Sequence, residues 1–230
     1  MRFLLLLLAL SLPFAPAVAA ERRYSVTSFE RLRLEGPFEL RVSVGGPPGA
    51  SASGDPASLE RLVLQVDGTT LTVRLGGQGS AERFAAPRAP LVITLATPVL
   101  RAVTVLGGGR ARVSGMRAQR LDLAVNGGGA LIAEQVSADM LNAVLVGNGG
   151  LTVTGQGGRV TLLGNGAGLL DATGLRVNDL TVRLDGTGEI RAAARYTASV
   201  SASGLGRVSV AGDQACKVTP ADNDRIRCGR

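Results

Sequence analysis

The sequence has no histidine and no tryptophan, and aromatic residues make up only 3% of it. Without histidine there is no Ser-His-Asp triad, no imidazole metal ligand and no unperturbed side chain that titrates near neutral pH. The scarcity of aromatics argues against a thick sandwich core, which wants large fillers. The hydrophobic fraction is nevertheless 45%. Val, Leu and Ala carry most of it, which suits a narrow interior of stacked aliphatic side chains. Lysine is scarce too, since Lys217 alone among the 25 basic residues is not arginine. Beyond the first twenty residues, no run is long and apolar enough for a transmembrane helix.

Those first twenty residues predict a secretory leader. Met1-Arg2 gives a positive start, Phe3 to Leu10 is continuously apolar, and Ala17-Val18-Ala19-Ala20 supplies small residues for cleavage. No cysteine stands at the junction, so no lipid anchor is expected. The mature chain is therefore expected to be exported, as a periplasmic, outer-membrane-associated or secreted protein. In that setting the pair Cys216 and Cys228 reads as one structural disulfide closing a short tail loop. No further ligands stand near them, so neither a metal nor another cofactor is expected.

The formal charge is +7, and the leader contributes only Arg2 to it. A basic exported surface suits an anionic glycan or envelope polymer, or a protein partner, better than nucleic acid. The arginines are not interleaved with aromatics, so no nucleic-acid role is expected.

A fixed-period repeat dominates the second half. Gly-x-Gly recurs with its first glycine at Gly107, Gly127, Gly147, Gly166, Gly186 and Gly204. Aligned on these glycines, the flanking positions fall into apolar columns. Four residues after the first glycine stand Ala111, Leu131, Leu151, Leu170, Ile190 and Val208. Six after it stand Val113, Ala133, Val153, Ala172, Ala192 and Val210. Two and four before it the columns are again apolar or glycine, from Val105 to Ala202 and from Val103 to Val200. Alternation with period two means strands. About 20 residues per unit is too short for two strands and a crossover helix. The fold class predicted is all-β, a right-handed parallel β-helix (solenoid) with about 20-residue coils and an irregular N-terminal β region.

The outward columns offer candidate contacts. Asp171 and Arg191 fall in one column on adjacent coils, as do Glu189 and Arg207, so cross-coil ion pairs are expected at both places. The candidate binding face comprises Arg110, Arg112, Arg191 and Arg207, along which an extended anionic polymer could lie.

The organisation expected is a leader at 1–20, an N-terminal β region of irregular coils at 21–100, regular coils at 101–212 and a disulfide-closed tail at 213–230. A separate small β domain is the alternative for the second segment. Within it Phe29 to Leu34, Phe38 to Val44, Leu62 to Val66, Leu71 to Leu75 and Leu91 to Leu95 read as strands. Asp67 to Thr70 reads as a turn, and Gly76 to Pro90 as a loop. Pro56 to Arg61 reads as a single helical turn with Asp55 as its cap.

With these features in place the sequence resembles the head GIN domain family, whose members are labelled putative auto-transporter adhesins. The resemblance runs from Phe29 to Gly212. It rests on the Phe29–Leu34 and Phe38–Val44 strands, Leu71-Thr72-Val73 after Asp67-Gly68, and Thr97-Pro98-Val99-Leu100 before the coils. The repeated Gly-x-Gly followed by Leu151-Thr152-Val153, Glu189-Ile190-Arg191 and Arg207-Val208-Ser209 completes it. The resemblance implies an exported β-helical domain and offers no catalytic residues to carry over. The cysteine-closed tail departs from the family's ending.

Function is thus expected to be binding, adhesion or scaffolding in the cell envelope, with self-association into a homo-oligomer as one form of it. The alternative is a polysaccharide-acting hydrolase or lyase on a β-helix scaffold, for which Asp171, Asp185 and Glu189 would be the carboxylates. Their expected arginine and corner-glycine neighbours favour structural roles, so no catalytic residue is assigned.

Overall fold

The computed structural model describes residues 20–76, 90–220 and 224–229. The predicted leader up to residue 19 and the interior of the predicted 76–90 loop lie outside the described residues. The chain folds as a β-solenoid of about six turns with coils of about 20 residues. In its first part stand β1 (Ala20–Tyr24), β2 (Arg31–Glu35), β3 (Glu39–Val44), β4 (Gly49–Gly54), α1 (Pro56–Arg61), β5 (Leu62–Asp67), β6 (Thr70–Leu75) and β7 (Val92–Thr97). The regular coils comprise β8 (Ala102–Leu106), β9 (Arg110–Ser114), β10 (Arg117–Asn126), β11 (Ala130–Gly147), β12 (Gly150–Gly166), β13 (Leu169–Ala172), β14 (Leu175–Gly186), β15 (Glu189–Ala193), β16 (Thr197–Gly204) and β17 (Arg207–Ala211). The tail adds β18 (Ala215–Thr219) and β19 (Ile226–Cys228).

Each regular coil has three sides. The first ends in Gly-x-Gly, the second follows it, and the third leads into the next coil. The inward columns stack in register: Leu131 pairs with Leu151, Leu151 with Leu170, Leu170 with Ile190 and Ile190 with Val208. All five are at most 1% exposed. Each such burial contributes about 1.5–3 kcal/mol. Gly164 interrupts the Val105-to-Ala202 column, and the side chains of Leu184 and Ile190 close over it, 2.9 and 3.2 Å from where a Cβ would be.

The Gly-x-Gly corners are built for close approach. A Cβ on Gly166 would lie 2.4 Å from the carbonyl oxygen of Gly147, and one on Gly168 would lie 2.5 Å from that of Gly149. The same Gly147 oxygen accepts hydrogen bonds from the N–H groups of Ala167 and Gly168, both at 3.0 Å. The corners at Gly186 and Gly204 tie to the one before them in the same way, through two backbone donors each. The spacing of the glycines varies because the turn between second and third sides varies in length. Gln135, with φ of 55°, sits where the pairing of β11 with β12 slips.

The first part of the chain does not stack in sequence order. β2 lies between β6 and β8, and β3 lies between β7 and β9, all parallel. The β2–β3 coil is therefore inserted between a later coil, β6–β7, and the regular series. Antiparallel strands finish this end: β5 covers β6, β4 covers β7, and β1 covers β4. Residues from Phe29 to Val210 form one hydrophobic cluster. Thr97, fully buried, donates its hydroxyl to the carbonyl of Phe29 at 2.7 Å. The predicted helical turn is present with Pro56 at its start, but the Asp55 side chain makes no capping hydrogen bond. The Asp55 carbonyl alone receives the N–H groups of Ser58 and Leu59.

At the far end the disulfide Cys216–Cys228 is formed, with Cα atoms 6.1 Å apart. Cys216 pairs in register with buried Ala198, and Cys228 with buried Val210. The bridge therefore joins the ends of two inward columns and ties β18 to β19 across the last coil.

Candidate functional site

The four candidate arginines share the second side of the solenoid, as the register requires. Arg110 and Arg112 stand on β9, Arg191 on β15 and Arg207 on β17. They do not form one patch. Between the two groups the outward positions are Ala130 and Ile132, Gly150 and Thr152, and Leu169 and Asp171. At about 4.8 Å per coil, Arg112 and Arg191 are roughly 19 Å apart. Two of the four are already engaged: Arg112 Nη1 donates to Glu134 Oε1 at 2.6 Å, and Arg191 donates from Nε and Nη2 to Glu189 at 2.9 and 3.1 Å.

This corrects both expected cross-coil ion pairs. Asp171 does pair in register with Arg191, and Glu189 with Arg207. Arg191 nevertheless grips Glu189 two residues earlier on its own strand, where period two places both side chains on one side. Asp171 instead accepts the backbone N–H and hydroxyl of Thr173, at 3.0 and 2.7 Å. The nearby charges still matter at longer range, since Arg207 helps to stabilise the Glu189 carboxylate.

The carboxylates weighed for catalysis are thus occupied. The Arg191 hydrogen bond holds the Glu189 carboxyl below its usual range, against a smaller opposing effect of burial. A glycosidase acid needs the opposite shift. Asp185 lies on the first side, accepts the Ser203 hydroxyl and faces Arg183 Nε at 3.7 Å.

A concave surface lies on the third side, where the sequence pattern pointed to no site. An open trough of about 1500 Å³ runs along the solenoid axis from Arg117 to Asp213. Its length follows from stacking: five spacings of about 4.8 Å make about 24 Å. Its shape follows from residue size. Ala118, Ala138 and Gly157 pair in register, and Gly158 beside them leaves no room for a Cβ, which would meet the Asp139 carbonyl oxygen at 2.8 Å. Around this small-residue floor stand Gln119, Ser137, Asp139, Gln156, Arg176 and Asn178. Arg117, Ser137, Gln156 and Arg176 form one continuous register column.

Arg117, Arg176 and Arg195 line the trough, and none of them has an ion-pair partner among the described residues. The Arg195 guanidinium lies 4.9 Å from the ring centroid of Tyr196, which is 52% exposed. The two acidic lining residues, Asp139 and Asp213, stand four coils apart, roughly 19 Å. A carboxylate pair for glycoside hydrolysis works at about 5–9.5 Å. The trough can therefore hold a polar chain, while its acids are too far apart to act on one bond together. The one signal of it in the sequence is the run of small residues Ala118, Ala138 and Gly157. Each stands nine residues before a corner glycine, Gly127, Gly147 and Gly166, so the column was in register but nothing in it marked a concave surface.

The sequence profile described as putative auto-transporter adhesin, head GIN domain, matches residues 28–213. No curated protein sequence matches the chain. Several solved structures share the fold. A putative adhesin from Bacteroides fragilis superposes with a TM-score of 0.79 at 18% identity, over 93% of this chain and 94% of its own. A putative lipid binding protein from Parabacteroides distasonis gives 0.68 at 17% identity, over 93% and 95%. A putative adhesin from Parabacteroides merdae gives 0.66 at 13% identity, over 94% and 95%.

Proposed function

The chain belongs to the head GIN domain family of putative auto-transporter adhesins, and from that membership we propose that it is an exported, adhesion-like binding module of the cell envelope. Its binding surface in this reading is the third-side trough, and its ligand is an extended envelope polysaccharide. The observation that carries the reading is the axial trough itself, where polar groups from successive coils line a floor of small residues. A rigid β-ladder holds those groups at fixed spacing, so a long chain can meet many weak contacts at once. Export is supported by the apolar leader and by the disulfide, which belongs to an oxidising compartment.

The test is affinity electrophoresis of the oxidised, leader-free chain through gels containing soluble polysaccharides. Gln156→Trp places an indole in the middle of the trough, and Thr152→Trp places one on the second side. Retardation by one or more polysaccharides, lost at least tenfold in Gln156→Trp and kept in Thr152→Trp, is the expected result. Retardation lost instead on substituting Arg110, Arg112, Arg191 and Arg207 together would move the site to the second side. Release of new sugar ends would replace the binding reading with an enzymatic one.

A further inference from the structure

We propose that the polymer held in the trough is acidic, a polyuronate-like polysaccharide anchored through its carboxylates by Arg117, Arg176 and Arg195, with a sugar ring seated against Tyr196. This rests on the trough being the binding surface, and it adds the chemical class of the ligand.

The first argument is charge. Three guanidinium groups without carboxylate partners face a trough whose own acids are Asp139 and Asp213. Some surface arginines here are taken up by a carboxylate, as Arg112 is by Glu134 and Arg191 by Glu189, and these three, gathered on one trough, are not. Left without one, a guanidinium keeps its planar fork of donors available for a carboxylate from outside. Arg117 and Arg176 stand in one register column three coils apart, about 14 Å, and Arg195 follows on the next coil. An anionic chain lying along the axis would meet them in succession.

The second argument concerns what a peptide would require. An extended acidic peptide binds most readily by adding a strand to a free sheet edge. Arg117–Ala118 pair on one side, with Ser137–Ala138, but in the middle of the trough the strands at Ser137–Ala138 and Gln156–Gly157 are hydrogen-bonded on both sides in parallel ladders. Their backbone groups are therefore committed. The trough offers instead the side-chain amides of Gln119, Gln156 and Asn178 and the hydroxyl of Ser137. That inventory of donors and acceptors matches sugar hydroxyls.

The third argument is the aromatic. Tyr196 does not line the trough itself but stands next to its lining residue Arg195, which lies against this half-exposed ring. A ring with an apolar face and a phenolic edge, beside a cation, accepts the C–H face of a pyranose while the guanidinium takes its acid group.

The experiment measures binding of the oxidised, leader-free chain to polygalacturonate, to dextran as a neutral chain, and to polyglutamate as an acidic peptide. Polygalacturonate should bind at least tenfold more tightly than either, and salt should weaken it. Arg117→Gln, Arg176→Gln and Arg195→Gln should each weaken it about five- to tenfold and flatten the salt dependence. Tyr196→Ala should weaken it without changing the salt slope. Far-UV circular dichroism confirms that these exposed variants fold. Dextran binding as well as polygalacturonate, with Gln156→Trp abolishing both, would overturn the acidic class and leave the trough as the site. Polyglutamate binding more tightly than polygalacturonate would overturn it in favour of a peptide. Polygalacturonate binding unaffected by Gln156→Trp would remove the trough reading and the anchoring by these arginines together.

Discussion

The glycine corners allow backbone strain and stacking clash to be separated by one substitution placed four ways. In Gly166→Ala the new Cβ suffers both. The residue has φ of +120°, and the Cβ would lie 2.4 Å from the carbonyl oxygen of Gly147. Gly107 has φ of +82° with nothing within 4 Å of its Cβ position, so only the conformation is strained. Gly168 has an ordinary φ but a backbone oxygen at 2.5 Å, so only the stacking suffers. Gly150 has neither problem. The conformational part costs about 1–2 kcal/mol. The clash is with backbone and cannot be relieved by a rotamer change, so the coils must separate. Separation at this corner weakens the bonds from Ala167 and Gly168 to Gly147, each worth about 0.5–1.5 kcal/mol net. Gly166→Ala should therefore lose about 3–5 kcal/mol, Gly168→Ala about 2–3 and Gly107→Ala about 1–2. Gly150→Ala should be neutral or stabilising by about 0.5 kcal/mol, because alanine restricts the unfolded chain. Urea unfolding followed by far-UV circular dichroism reads these differences. For a chain of this size the Gly166→Ala loss corresponds to a melting temperature roughly 10 °C lower. Equal losses in Gly107→Ala and Gly166→Ala would refute the stacking argument. A Gly150→Ala loss as large as that of Gly168→Ala would show a general intolerance of side chains instead.

Other sites give sharper local readouts. Replacing Cys216 and Cys228 by serine should cost about 2–4 kcal/mol, and hydrogen exchange should show the loss concentrated in β18 and β19, with the central coils unchanged. Thr97→Val keeps the shape but leaves the Phe29 carbonyl without its hydroxyl donor, which should cost about 1–3 kcal/mol in chemical unfolding. Glu189 is depressed in the folded state, so the stability it adds is present above the usual carboxylate range and disappears as pH falls through its lowered pKa. The pair is partly exposed, so solvent screening keeps its contribution small. A carboxyl-carbon NMR titration should show Glu189 moving up toward the ordinary range in Arg191→Gln, and no movement would remove that arginine as the cause.

The amino-acid sequence was enough to specify the regular part of the molecule. A period of about 20 residues with alternating apolar positions leaves one economical way to bury Leu131, Leu151, Leu170 and Ile190, and they stack as that period requires. The same register put Cys216 and Cys228 within bridging distance and put Arg110, Arg112, Arg191 and Arg207 on one side. Periodicity is local information, and each coil repeats it. What the sequence left open had no such repetition. The insertion of β2 and β3 between β6–β7 and β8–β9 depends on pairing between distant segments that share no period. The partner of Arg191 depends on which carboxylate a long side chain reaches, and Glu189 on the same strand wins over Asp171 on the neighbouring coil. The trough depends on the cross-section of the coils, because Ala118, Ala138, Gly157 and Gly158 become the floor of a concave surface only when each coil closes around them. Stacking is decided residue by residue along the chain, whereas concavity is a property of the closed coil, so only the tertiary structure could place the binding surface.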